Sequence, residues 1–93
     1  MKREWPIAQG RVVRSKAGRD EGRYFVVTKL EGDFAYVADG DTHKIETPKK
    51  KRIRHLFVTE EIISSLQGRL EAGEQVENFE LRNALRAYRQ KEE

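Results

Sequence analysis

The stretch Gly10-Arg11-Val12-Val13-Arg14-Ser15-Lys16-Ala17-Gly18-Arg19-Asp20-Glu21-Gly22-Arg23-Tyr24-Phe25-Val26-Val27 decides how the rest of the chain is read. Residues 11–14 and 24–30 are short runs rich in β-branched and aromatic side chains, the composition of strands. Residues 15–23 between them are polar and contain two glycines. Glycine supplies the positive φ that tight loops need, so the segment reads as strand, loop, strand.

Working outward, Glu31-Gly32-Asp33 reads as a hairpin turn into a third strand over residues 34–38. Asp39-Gly40-Asp41 is a second turn, Asp-Gly being a strong hairpin signal. Residues 42–46 are expected to form a fourth strand with Ile45 inward, ended by Pro48, and residues 53–57 a fifth. No helix-length segment separates the first four strands, which favours a mainly β fold, a small closed barrel without exposed edges, over a βαβ arrangement.

The pattern changes near Thr59. Ile62, Leu66 and Leu70 recur at helical spacing, with Thr59 as the expected N-cap and Glu60 and Glu61 at the positive end of the dipole. Gly68 weakens this helix and Gly73 is its expected stop. A second helix is expected from about Asn78, with Leu81, Leu85 and Tyr88 on one face. Neither is long enough to be stable alone, so residues 59–93 are expected to be a helical extension packed on a barrel of residues 1–58, or on a partner.

At 93 residues the chain allows one domain. There is no cysteine, which excludes disulfides and thiolate metal sites. No apolar run reaches the ~20 residues that cross a bilayer, and Met1-Lys2-Arg3-Glu4-Trp5-Pro6 does not lead into a signal-peptide core. A cytoplasmic protein is expected. The net charge of +3 hides an asymmetry. Residues 1–57 hold fourteen Lys and Arg against eight Asp and Glu, whereas residues 58–93 hold five against eight. A basic front and an acidic rear suggest a module that binds a polyanion, followed by a segment of another kind.

The opening stretch resembles a KOW motif, a strand, a glycine-bearing basic loop and a second strand, with Gly22 at the position of the characteristic glycine. Phe25 stands where the motif usually has a later glycine. The opening Gly10-Arg11-Val12-Val13, the turn Val37-Ala38-Asp39-Gly40 and the run Lys49-Lys50-Lys51-Arg52-Ile53-Arg54-His55-Leu56 together are similar to the fourteen-e family of large-subunit ribosomal proteins and its small bacterial relatives with KOW domains. The likeness spans about residues 8–58. It implies an SH3-like barrel and RNA binding on or near the ribosome.

The residues support that expectation independently. Arg14, Lys16, Arg19 and Arg23 form one basic cluster, and at Gly18 and Gly22 backbone N–H groups can approach phosphate without a Cβ in the way; Gly10 completes the motif glycines. Lys44, Lys49, Lys50, Lys51, Arg52 and Arg54 form a second. If loop and strand lie side by side, about ten cations line one surface and bind RNA backbone with a steep salt dependence. Phe25, Phe34 and Tyr36 are expected in the core, Tyr24 as an outward ring for stacking, and Trp5 as a cap on the barrel's open end. Arg82, Arg86 and Arg89 repeat at helical spacing and are read as a solvated face rather than as site residues.

His43 and His55 lack partners for a metal site, and no serine has a catalytic context, so a non-enzymatic protein without cofactor or small-molecule substrate is expected. The expected partner is RNA, ribosomal RNA or the large subunit, bound by a monomer. The alternative is a protein-interaction adaptor that lays Leu81, Leu85 and Tyr88 into a partner's groove. Removing residues 76–93 would then separate the two readings.

Overall fold

The computed structural model describes residues 5–92; residues 1–4, part of the stretch expected not to lead into a signal-peptide core, lie outside them. The elements run β1 (Arg11–Ser15), β2 (Tyr24–Glu31), β3 (Phe34–Ala38), β4 (Lys49–Arg52), a 3-10 turn (Ile53–His55), β5 (Leu56–Ile62), α1 (Ser64–Glu71) and α2 (Asn78–Glu92). The five strands form one antiparallel sheet in the order β4-β3-β2-β1-β5, so the molecule is mainly β with two C-terminal helices. The hydrogen-bonded sheet is open, with β4 and β5 at its two ends.

Side-chain alternation gives the sheet two apolar faces. Val13, Phe25, Val27, Ala35, Val37 and Leu56 cluster on one, joined by Ile7, Ile53 and Val58. Val12, Val26 and Ala38 point the other way and meet Leu66, Val76, Leu81 and Leu85 from the helical segment. The register explains the sorting. Val13 lies opposite Phe25, Val27 opposite Val37, and Val12 and Ala38 flank Val26. Phe25, at the motif's altered position, is fully buried; a glycine there would leave the first core without its largest side chain.

Three expectations are corrected. Residues 42–46 form turns, not a strand. Ile45 packs toward the helices, and its N–H donates to the Asn78 side chain at 2.8 Å. The fourth strand is instead the basic run Lys49–Arg52, which hydrogen-bonds along β3 despite its poor strand propensity. Thr59 is not an N-cap. It lies within β5, its hydroxyl donating to the Val12 carbonyl at 2.7 Å, and the passage from strand to helix falls at Ile63 rather than at the 58/59 boundary.

The helices share the sheet's core. Leu81 and Leu85 are 0% and 5% exposed, and Tyr88 packs against the same cluster, its ring 5.5 Å from Tyr24. The apolar stripe assigned to a partner's groove in the adaptor reading is therefore already occupied. Tyr24 is likewise half-buried beneath α2 rather than free for stacking. Gly73, at φ +73°, ends α1 as expected. Its N–H reaches the Leu70 carbonyl, and Glu74 N–H reaches that of Arg69. Arg69 then clamps Glu80 at 2.6 and 3.0 Å, while Glu80 also accepts the Glu77 N–H at the start of α2.

Candidate nucleic-acid interface

Gly18 and Gly22 both take positive φ, +87° and +89°, and turn the loop between β1 and β2 back on itself. The Gly22 N–H donates to the Ser15 carbonyl at 2.8 Å and Arg23 N–H to Asp20 at 2.9 Å. Gly10 is different. It also has positive φ, but a Cβ there would lie 2.9 Å from Gln67 Cβ, so its smallness lets α1 approach the sheet. Of the three motif glycines, two shape the loop and one seats a helix.

Lys51 connects this loop to β4. Its ammonium donates to Asp20 Oδ1 at 2.8 Å, to the Ser15 hydroxyl at 3.0 Å and to the Ala17 carbonyl at 3.2 Å. Both side chains of the Lys51–Asp20 pair are 8% exposed. Burial acts to raise the Asp20 pKa, but the hydrogen bonds from Lys51 and Ser15 and the charges of Lys51 and Lys49 outweigh it and hold the carboxyl below its ordinary value. Lys51 is thus a buried strut whose charge is consumed inside the protein, not a cation presented to RNA.

The remaining basic residues are solvent-facing but do not form one surface. Lys16, Arg19, Arg23 and Lys44 are exposed on loops. Lys49 lies on the same face of β4 as Lys51, across from Val37, whereas Lys50 and Arg52 point to the opposite face, across from Tyr36 and Phe34. Arg14 stacks on Phe57, opposite it on β5, at 5.6 Å. Arg54 is exposed in the 3-10 turn and lines a depression with Asp33 and Arg52. The expected surface of about ten cations is divided between the loop side and the outer face of the sheet.

On that outer face two aromatic rings lie where core was expected. Phe34 and Tyr36 are half-buried, beyond the reach of the helices. Lys50 Nζ sits 4.5 Å from the Phe34 centroid and Arg52 Cζ 4.9 Å from it. Lys29 Nζ lies 5.6 Å from Tyr36, whose hydroxyl donates to Glu31 at 2.9 Å. Strand aromatics usually fill a core, and the alternation Phe34-Ala35-Tyr36-Val37 is apolar on both faces, so the sequence held no sign of which pair turned outward. Trp5 is 40% exposed beneath the Arg11 guanidinium and belongs to neither core cluster.

No protein-family model matches the chain, and no curated protein matches its sequence. Among the described residues, no helix is long and apolar enough to cross a membrane.

Proposed function

We propose that this chain is a non-enzymatic RNA-binding module of the KOW type, acting on the ribosome or translation apparatus through contacts to RNA backbone. The observation that carries the reading is the loop between β1 and β2. It is shaped by Gly18 and Gly22, tethered to β4 by the Lys51–Asp20 pair, and leaves Lys16, Arg19, Arg23 and Lys49 exposed around it. A loop fixed before binding loses less conformational freedom when RNA arrives. Arginine can clamp a phosphate through two N–H groups while lysine acts as a point charge.

The same proposal includes the barrel that the resemblance implies. Support comes from the core around Phe25, which joins Ala35 and Val37 of β3 to Ile53, Leu56 and Val58 near the other end of the sheet. The Ile53 N–H also donates to Asp33 at 2.9 Å, and Lys16 N–H to His55 at 2.8 Å, so the 3-10 turn bridges the two sides. Such a curl suits an SH3-like barrel.

The test is binding of ribosomal RNA fragments by fluorescence anisotropy across a salt series, with cosedimentation of the tagged protein with ribosomal particles. Binding should weaken steeply as salt rises. Replacing Lys16, Arg19 and Lys49 by Glu should abolish it in a folded protein. Retained affinity in that variant, or a wild-type protein that stays at the top of the gradient at every salt, removes the reading.

A further inference from the structure

The end of the glycine loop, the turn after β3 and the outer edge of α2 enclose a cavity of about 330 Å³. Arg23 reaches it from the loop, and Arg82, Arg86 and Arg89 reach it from α2, with Asp39 and Asp41 on the turn. The lack of a side chain at Gly40 explains how the helix comes so close. Gly40 has φ +78°, and a Cβ there would collide with the Asn78 carbonyl and lie 3.2 Å from Arg82 Cγ.

The placement of the arginines follows from their spacing. Arg82, Arg86 and Arg89 each follow one residue after Leu81, Leu85 and Tyr88. One residue turns an α-helix by about 100°, so the arginine stripe borders the buried stripe instead of opposing it. The three arginines are solvent-exposed and line the rim of the cavity on the sheet side of the helix.

The charges there are poorly matched from within the protein. Asp39 Oδ1 already accepts the N–H groups of Asp41 and His43, both at 2.9 Å. Arg82 Nη1 donates to the Gly40 carbonyl at 2.7 Å, and Arg86 Nη1 to Asn83 at 3.2 Å. Among the described residues none of the four arginines forms an ion pair with a carboxylate, and Arg23 and Arg89 have no side-chain hydrogen bond. Four guanidinium groups around one concavity, only two carboxylates beside them and no ion pair is an arrangement completed by an anion.

We infer that this cleft is a phosphate-binding site which holds a phosphodiester of the RNA whose neighbouring backbone lies on the glycine loop, making α2 part of the RNA-binding surface. The inference rests on the RNA-binding reading above. Arg23 belongs to both the loop and the cleft, so one strand can continue from one to the other. The planar, forked donors of arginine suit phosphate oxygens.

The experiment compares RNA affinity across a salt series for the wild-type protein and four variants, each checked for an unchanged thermal transition. Arg86→Gln/Arg89→Gln should weaken binding about tenfold at low salt and reduce the slope of log affinity against log salt by about 0.8, as for one lost phosphate contact. Lys91→Gln, which removes a cation elsewhere on α2, should leave the slope unchanged. Asp41→Asn should tighten binding, whereas Glu60→Gln, an equal change of charge at an exposed position of β5, should not. If the double arginine variant binds like the wild type, or Asp41→Asn and Glu60→Gln behave alike, the cleft is not a phosphate site and the loop alone carries the RNA. If the wild-type protein does not bind RNA at all, the RNA-binding reading fails and this assignment fails with it.

Discussion

Lys51 Nζ and Asp20 Oδ1 meet at 2.8 Å in a buried contact between residues 31 apart in sequence. Removing one partner strands the other charge away from water. Lys51→Ala and Asp20→Ala should each destabilise the fold by about 3 kcal/mol, and the double variant by much less than the sum. Urea denaturation in a double-mutant cycle measures this. Lys51→Glu should prevent folding, whereas Lys49→Glu/Lys50→Glu should fold and lose RNA affinity.

Gly40 and Gly22 share a positive φ but differ in surroundings. At Gly22 a Cβ meets nothing within 4 Å, so Gly22→Ala should cost only backbone strain, about 1–2 kcal/mol. At Gly40 the new methyl also strikes the Asn78 carbonyl. Gly40→Ala should cost clearly more and should loosen α2, visible as lost amide protection over residues 78–88 in hydrogen exchange.

The link between the helices carries a pH signature. The hydrogen bonds from Arg69, together with that from the Glu77 N–H, lower the Glu80 pKa to about 2. An unfolded glutamate titrates near ~4.3, so the unfolded chain binds the proton first as acid is added. The contribution of Glu80 is complete above that value and is lost as pH falls toward the folded pKa. Thermal stability should therefore drop on acidification from ~5 toward ~2, and Glu80→Gln should flatten that part of the curve.

Because Leu81 and Leu85 belong to the sheet's second core, helices and sheet should unfold as one unit. Leu81→Ala should cost about 3 kcal/mol and shift a single calorimetric transition. Deleting residues 76–93 would uncover Val12, Val26 and Ala38, so that truncation should lower solubility rather than cleanly report on partner recruitment. Two separate transitions in the intact protein would contradict this.

Much of the architecture was legible because it rests on local patterns. The Val12-Val13 and Phe25-Val26-Val27 runs announced strands, and Leu81, Leu85 and Tyr88 announced α2 and its buried face. What was not legible depended on distant partners. Lys49–Arg52 carries no strand signal of its own and is strand because β3 offers an unpaired edge. The Lys51 side chain differs from its neighbours only through Asp20, and Thr59 reads as a cap until the Val12 carbonyl is seen to claim its hydroxyl. The arginine stripe was visible, but the cleft it overhangs needs the turn at Gly40, far away in sequence, to be brought beneath the helix.

The edge strand has a consequence for how the protein keeps company with itself. An open sheet ends in a row of unpaired N–H and C=O groups, which in many proteins seed chain-to-chain growth. Here one such end is Lys49-Lys50-Lys51-Arg52, and two copies meeting edge to edge would crowd the exposed cations Lys49, Lys50 and Arg52 of one against those of the other. The run that marks the chain as cationic thus also acts as a gatekeeper against fibril-like stacking, even in a crowded solution of identical molecules.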